Sequence, residues 1–274
     1  MNIKHKTTEE YQGVEQGHIR PPTESNSLHV SVTRNCPLNH CTFCPVYKGS
    51  RFSIRPKDHV IKDIDSVYRS VKIIQKTAHG ERKVPLAEIR ETAGNVNNLD
   101  PRAFNAALNW IRGGMRSVFI QDANSLIIKP SDLVEILTHL KTCFPWVERI
   151  TSYARSHTIA RISDDNLKAN RDAGLNRIHI GLESGSNKVL KMTQKGVTKE
   201  TQIKAGLKVK KAGMELSEYV MPGLGGKAYS KEHALETADA LNQINPDFIR
   251  LRTLAIPSSV APVSYTHLTL PTMQ

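Results

Sequence analysis

Three of the four cysteines in this chain lie within nine residues, in the stretch RNCPLNHCTFCPVYKG at 34–49. Cys36, Cys41 and Cys44 follow the spacing C-x4-C-x2-C, which is too close and too regular for structural disulfides in a reducing compartment. Thiolates at such spacing bind metals. We therefore interpret the three cysteines as ligands of a metal centre carried by one short loop.

Three kinds of metal centre fit this loop. Three thiolates can hold three irons of a [4Fe-4S] cubane and leave the fourth iron open to a substrate. Zinc would need a distant histidine, because His40 is adjacent to a ligand and badly placed to join it. A plant-type [2Fe-2S] cluster uses this same spacing with a fourth cysteine, for which Cys143 is the candidate. The residues alone leave these three centres open.

Composition narrows the class of protein. The chain has 274 residues, of which 39% are hydrophobic, so it can bury the core of one large domain or two small ones. It has no run of about 18 apolar residues and no apolar signal-peptide core at its N-terminus. We expect a cytoplasmic protein without a membrane partner. The net charge of +12 lies outside residues 1–26 and suggests an anionic partner.

Short apolar runs alternate with longer amphipathic ones, which is typical of repeated strand-helix units. Strands are predicted at 28–33, 117–121, 149–155, 177–183, 216–221 and 248–256. Helices are predicted at 57–77, near 103–112, and at 131–142, 162–173, 186–212 and 231–244. Such a pattern predicts parallel strands joined by crossover helices.

An open doubly wound sheet and a barrel both satisfy this pattern. The strand at 177–183 alternates, with Ile178 on one side and His179 on the other. A strand with helices on one side and a polar lumen on the other should alternate in this way, whereas strands covered on both faces are usually apolar throughout. We therefore predict an α/β fold, a partial (β/α)6 TIM-like barrel of parallel strands with outer helices.

Domain boundaries follow from this fold. Residues 1–26 are predicted to be a polar N-terminal extension, and 27–256 the core barrel with an insertion at about 79–114. The tail at 257–274 is uncharged and lacks helical period. Its VSYTHLTLPT resembles translated sequencing-adapter read-through, so we expect this tail to be non-native or disordered and the natural chain to continue beyond it.

CPLNHCTFC, together with GLESGS, YVMPGLGG and IRLRTLAI, resembles the radical S-adenosylmethionine (radical SAM) superfamily over residues 28–256. The resemblance implies that the three cysteines bind a [4Fe-4S] cluster and that SAM chelates the fourth iron. It further implies that a one-electron reductant such as flavodoxin or ferredoxin drives cleavage of SAM to a 5'-deoxyadenosyl radical. The superfamily's usual spacing is C-x3-C-x2-C, so this loop carries one additional residue.

The resemblance also implies a set of SAM-binding residues. They are Phe43 against the adenine, Asp122 or Asn124 at the methionine amine, Arg155 near the SAM carboxylate, Glu183 on the ribose hydroxyls and Gly223 behind the adenine. Each has a simpler structural alternative, since an aromatic ring can pack under a loop and a glycine can serve a turn.

Three further side chains are predicted to point into the lumen. By strand alternation, His179, Arg250 and Arg252 face inward, where neither the cluster nor SAM needs all three. Because an uncompensated buried charge is costly, several cations in one cavity indicate that an anionic group binds there. We therefore expect a substrate, small or macromolecular, with carboxylate or phosphate groups.

Lysines crowd the helix predicted at 186–212 and oppose a single Glu200. They are Lys188, Lys191, Lys195, Lys199, Lys204, Lys208, Lys210 and Lys211. Nucleic acid could bind such a stripe, as in tRNA-modifying radical SAM enzymes, but a solvated outer face is favoured. The alternative from another class is a non-catalytic iron-sulfur or zinc protein that transfers electrons or regulates.

Overall fold

The computed structural model describes residues 9–17, 20–77, 91, 94 and 99–254. Its main sheet has six strands, all parallel and placed in the sheet in their chain order. They are β1 (Leu28–Ser31), β4 (Ser117–Gln121), β5 (Arg149–Ala154), β6 (Leu175–Glu183), β7 (Glu215–Val220) and β8 (Phe248–Leu251). A small antiparallel hairpin, β2 (Thr33–Arg34) with β3 (Ser53–Ile54), forms a separate two-stranded sheet.

Helices cover the outer side of this sheet. In chain order they are α1 (Lys57–Thr77), α2 (Pro101–Arg112), α3 (Pro130–Cys143), α4 (Ser156–Ile159), α5 (Asp164–Asp172), α6 (Asn187–Met192), α7 (Lys199–Lys211) and α8 (Ser230–Ile244). In the described part of the chain, none of them has the length and apolar character needed to cross a membrane.

The predicted partial (β/α)6 barrel is confirmed. Strands β1 and β8 are the two edges of the sheet, so the described chain forms an open barrel. Five of the predicted strands match within two residues. The last, predicted to reach 256, ends at Leu251, and residues 255–256 lie outside the described residues.

Strand β6 shows why inward and outward positions could be read from the sequence. Ile178, Ile180 and Leu182 are at most 1% exposed and join the core between sheet and helices. His179 points the other way, into the lumen, where its ring centroid lies 5.6 Å from that of Tyr153, its partner on the neighbouring strand β5. The period of two therefore sets which side chains enter the barrel.

The helix predicted at 186–212 is wrong as a single element. Helices α6 and α7 are separated by residues 193–198, where Gln194 and Gly196 have φ of 53° and 68°. A right-handed helix cannot continue through such left-handed backbone. The helix predicted at 162–173 matches the Ser163-capped α5, and the short helix α4, which was not predicted, precedes it.

The last strand departs from its predicted packing. Because Arg250 and Arg252 are predicted to face inward, strand alternation predicts that Ile249 and Leu251 face helices, yet these two residues are 54% and 71% exposed. No described helix follows β8, because residues 255–274 lie outside the described part of the chain. The tail predicted at 257–274 lies there as well.

The segment 1–26 is more than a polar extension where the structure describes it. Val14 is 3% exposed and belongs to the hydrophobic core. Glu24 enters the lumen from the end where the strands begin. Half of the predicted 79–114 insertion lies outside the described residues, and its final part contains α2, which packs against α1 and β1.

Glu24 is the centre of a buried polar network in the lumen. Its side chain is 0% exposed, and Ser27 Oγ donates to its Oε2 at 2.6 Å. Arg149 Nη2 lies 3.5 Å from Oε2, and His179 Nε2 lies 3.5 Å from Oε1. Burial tends to raise the pKa of Glu24, but these polar and positive neighbours outweigh it and lower that pKa. Burial lowers the pKa of His179, so this imidazole is neutral near pH 7.

We expect Glu24→Gln to lower the free energy of unfolding by about 2 to 4 kcal/mol, because it removes the buried negative charge that compensates Arg149. Urea denaturation measures this difference. The matched control is Glu10→Gln at an exposed position, which should cost less than about 0.5 kcal/mol. Equal costs for the two variants would contradict this account of the network.

Candidate cluster and cofactor site

A cavity opens at the carboxyl ends of the sheet strands. Each of the six strands contributes to its wall at or directly after its end. The contributions are the cysteine loop after β1, Ala123 after β4, Arg155 after β5, Glu183 of β6, Met221 after β7 and Arg252 after β8. Active sites of parallel α/β barrels occupy this rim.

The cysteine loop enters this cavity from one side. Cys36, Cys41 and Cys44 are partly buried free thiols in the cavity wall. Asn35 and Asn39 hold the loop's left-handed turns, with φ of 64° and 48°, which asparagine adopts more readily than most residues. The β2–β3 hairpin brackets the loop, so its two ends are held together.

Asp122 connects both flanks of the cysteine loop. Its carboxylate accepts a hydrogen bond from Asn35 N at 3.0 Å and another from the Tyr47 hydroxyl. Burial and the neighbouring carboxylate raise the pKa of Tyr47, which therefore stays a neutral donor. The Asp122 side chain thus points at the loop, Ala123 beside it lines the cavity, and the predicted contact of Asp122 with the methionine amine stays a prediction.

Asn124 also serves the framework and lies outside the cavity wall. It is 0% exposed, donates to Thr158 Oγ1 at 2.9 Å and accepts from Arg155 N at 2.9 Å. These bonds fix the backbone that carries the Arg155 side chain. The observed role of Asn124 is to position Arg155, and its predicted contact with the methionine amine stays a prediction.

Sequence reasoning missed Lys195, which it assigned to the outer lysine stripe. The break between α6 and α7 turns Lys195 into the cavity, where its Nζ lies 3.3 Å from Glu183 Oε1 and 5.7 Å from the Phe43 ring centroid. Arg155 Nη2 donates to the Lys195 carbonyl at 3.1 Å. The glycine at 196 was the available signal, because it can end a helix.

The two cations also act on the cysteine loop. Burial raises the pKa of the Cys41 thiol, and the charges of Lys195 and Arg155 oppose that rise. Ligation of a metal requires thiolates. The two cations therefore offset part of the burial effect, although the pKa of this thiol remains raised.

Glu183 is an unusual residue at the end of β6. Its backbone adopts φ of 63°, next to a register shift between β6 and β7. Left-handed backbone costs a non-glycine residue about 1 to 2 kcal/mol, and such strain clusters at functional sites. Its Oε2 is buried without a hydrogen-bond partner in the structure. A ligand hydroxyl in the cavity would supply the missing donor.

Of the two residues predicted to contact the adenine, Phe43 lies in the cavity wall and Gly223 does not. Phe43 lines the cavity and also packs against a small cluster that includes Val189 and Met221, so the predicted adenine contact and the structural alternative are compatible. Gly223 lies outside the cavity wall and has φ of 86°. The structure therefore gives this glycine a turn position.

Of the three predicted substrate residues, Arg252 alone lies in the cavity wall. Arg250 points inward, but its Nε donates to Ser217 Oγ at 2.9 Å and its guanidinium lies over the Phe248 ring. His179 lies beneath the cavity, where its Nε2 is 3.5 Å from Glu24 Oε1. Neither of these two side chains lines the cavity, and their predicted contact with the substrate stays a prediction.

The cysteine loop fits a polynuclear cluster better than a single metal ion. Zinc with four ligands at about 2.3 Å would bring sulfurs to about 3.8 Å from one another. Among the described residues, one group of three such side chains has all ligand atoms within 4.8 Å, and it contains none of the loop cysteines. No described histidine, aspartate or glutamate has its ligand atom within 4.8 Å of the sulfurs of two loop cysteines that are themselves this close to one another.

Cys143 cannot complete a [2Fe-2S] centre on this loop. It is the last residue of α3, which begins beside the carboxyl ends of the strands and runs back over 14 residues, roughly 20 Å. The cysteine loop follows the carboxyl end of β1. The two therefore lie towards opposite ends of the barrel.

Comparison with known proteins agrees with this geometry. The chain is 27% identical over 225 residues to the tRNA-2-methylthio-N(6)-dimethylallyladenosine synthase of Methylacidiphilum infernorum (isolate V4). The match covers 80% of this chain and 39% of that protein. The chain thus spans well under half the length of this curated relative.

Solved structures share the fold. Methylornithine synthase (PylB) matches with a TM-score of 0.54 at 13% identity, over 90% of this chain and 60% of that one. Coproporphyrinogen III oxidase (HemN) from Escherichia coli, a radical SAM enzyme, matches with a TM-score of 0.54 at 14% identity, over 86% of this chain and 45% of that one. At such identities the likeness shows the barrel alone.

The family assignment comes from the sequence match. The family model of the radical SAM superfamily matches residues 30–241, which include the cysteine loop and five of the six sheet strands, apart from the first two residues of β1. Because this match extends over well more than half of its length, the chain belongs to the radical SAM superfamily.

Proposed function

We propose that this chain is the core of a cytoplasmic radical SAM enzyme, with Cys36, Cys41 and Cys44 as cluster ligands and an anionic substrate. Enzymes of the superfamily use a [4Fe-4S] cluster and SAM. The bound cluster would supply the electron that cleaves SAM to a 5'-deoxyadenosyl radical. A one-electron donor such as flavodoxin or ferredoxin is required. The observation that carries the proposal is the convergence of three free thiols on one cavity at the carboxyl rim.

The chain's own residues would bind and orient the cofactors. Arg155 and Lys195 oppose the rise that burial causes in the pKa of the Cys41 thiol, and the unpartnered Oε2 of Glu183 accepts a hydrogen bond from a ribose hydroxyl. Phe43 offers an aromatic face to the adenine. Lys195 also holds Glu183 Oε1, which leaves Oε2 as the oxygen for the ligand.

An aromatic floor keeps this cavity closed from below. Tyr153 and Tyr219 line the cavity, and their rings contact His179 beneath them. Phe119 packs against Tyr153 with ring centroids 5.3 Å apart. Radical chemistry must be kept from water and from stray hydrogen donors, and a packed lumen serves that purpose.

Arg252 is the best candidate for contacting the substrate. Lys195 is matched by Glu183, and Arg155 lies near Cys36 and Cys41. Arg252 also lines the cavity, is exposed to solvent and forms no ion pair within the described part of the chain. A carboxylate or phosphate on the substrate would provide the counter-charge.

Modification of tRNA is a second candidate, favoured by the tRNA-modifying relative. The lysine stripe argues against it, because most of its members already have carboxylate partners. The pairs are Lys188–Glu232, Lys199–Glu236, Lys208–Asp164, Lys210–Asp247 and Lys211–Asp164. Paired lysines release fewer counterions on RNA binding than free ones.

Cys41→Ala should abolish formation of 5'-deoxyadenosine from SAM in the anaerobically reconstituted and reduced protein, because a cluster ligand is lost. Chromatography of the quenched reaction measures the product. The matched control is His40→Ala, an exposed neighbour that should stay within about twofold of the unmodified chain. The proposal fails if Cys41→Ala retains the product, or if the unmodified chain with four irons forms none.

Tyr47→Phe should speed the loss of iron to a chelator by about tenfold, because it removes one hydrogen bond to the Asp122 carboxylate that anchors the loop. Stopped-flow absorbance at the cluster band follows the loss under anaerobic conditions. Tyr68→Phe on α1 makes the same chemical change away from the loop and should leave the rate unchanged. Equal rates for both variants would show that this bond does not anchor the loop.

Arg252→Leu should lower substrate turnover by about tenfold to a hundredfold while leaving substrate-free SAM cleavage intact. The substrate is sought in two arms, in anion-exchange fractions of small metabolites and in total tRNA. Arg116→Leu, whose side chain is 76% exposed at the start of β4, is the control. Loss of turnover and of substrate-free cleavage together would contradict the assignment, and turnover confined to tRNA would establish the second candidate.

A further inference from the structure

A second group of metal-binding side chains lies on the outer helices, away from the cysteine loop. Asp65 of α1 and His139 and Cys143 of α3 place one ligand atom each within 4.8 Å of one another. His139 Nε2 lies 2.7 Å from Asp65 Oδ1 and 3.6 Å from Cys143 Sγ. The proposed radical chemistry uses none of these three side chains.

The helix pair α1–α3 holds these side chains in place. His139 and Cys143 are four residues apart, so they lie on one face of α3, the spacing at which paired helical ligands bind zinc. The helices are joined nearby by the Lys57–Glu135 salt bridge at 2.7 Å and by the Tyr68 and Phe144 rings, whose centroids are 5.7 Å apart. The ligand atoms are therefore positioned by packed helices.

The geometry suits metal ligation and does not suit a catalytic triad. In a triad the histidine uses its two ring nitrogens separately, one for the nucleophile and one for the acid. Here the same Nε2 faces both Asp65 and Cys143. Ligands of tetrahedral zinc lie about 3.3 to 3.8 Å from one another, so small side-chain movements would suffice.

The exposure of the group leaves room for a fourth ligand. The Asp65 side chain is 56% exposed and that of His139 is 30% exposed, so water can complete the coordination. Sulfur, imidazole nitrogen and carboxylate oxygen together are a donor set that zinc accepts.

We propose that Asp65, His139 and Cys143 form a zinc site that clamps α1 to α3. Binding forms a zinc–sulfur bond to Cys143, and the thiol proton leaves to solvent. The imidazole and the carboxylate donate lone pairs, so no oxidant or reductant takes part. The site is distinct from the cluster loop and lies towards the other end of the barrel.

The test uses the full chain with Cys36, Cys41 and Cys44 replaced by alanine. Cys143 is then the one remaining thiol, so a thiolate-to-cobalt charge-transfer band on titration with Co²⁺ reports on this residue alone. We expect one cobalt per chain, displaced by Zn²⁺, and a higher unfolding midpoint with metal.

Three substitutions in the same background separate a built site from a lone thiol. Cys143→Ser should abolish the band, and both Asp65→Asn and His139→Ala should weaken cobalt binding by at least about tenfold. Asp58→Asn, an exposed carboxylate on α1, is the matched control and should leave the affinity unchanged.

The proposal is overturned if the folded triple variant shows no charge-transfer band, or if Asp65→Asn and His139→Ala bind cobalt as tightly as their parent. A second measurement applies should the triple variant fail to fold. The cluster-loaded chain and its Cys143→Ser variant are dialysed against zinc and then buffer, and zinc is counted by elemental analysis. One zinc fewer in the variant supports the site, and equal zinc refutes it.

Discussion

The candidate site depends on one constraint, the parallel arrangement of the six strands in the main sheet. Because all six strands run in one direction and in chain order, their carboxyl ends meet at one rim. Side chains alternate along each strand, so burial of Ile178, Ile180 and Leu182 against the helices forces Glu183 and its neighbours to the other side. Hydrophobic packing on the outside thus determines which polar groups enter the cavity.

The opposite end of the lumen is closed by the chain itself. Glu24 brings a negative charge to Arg149 and His179, and an aromatic layer separates this network from the cavity above. A basic side chain that points into a barrel is therefore insufficient to infer an anionic substrate, because burial keeps His179 neutral near pH 7 and its neighbour Glu24 belongs to the chain itself. Arg252 differs in facing the cavity without such a partner among the described residues.

The sequence predicted what depends on local pattern and missed what depends on irregular backbone. The spacing of the cysteines and the alternation in β6 were sufficient to predict the loop and the barrel. Lys195 was missed because a left-handed break at Gln194 and Gly196 interrupts a helical pattern that otherwise continues. Asp122 was assigned to a cofactor because its bonds reach loop residues 87 and 75 positions away, which no local signal reveals.

The most direct test of the central claim is electron paramagnetic resonance of the reduced, anaerobically reconstituted chain with and without SAM. Three cysteines that leave one iron open predict about four irons per chain and a signal that changes when SAM binds. A chain that holds two irons or zinc, or a four-iron signal that SAM leaves unchanged, would contradict the account.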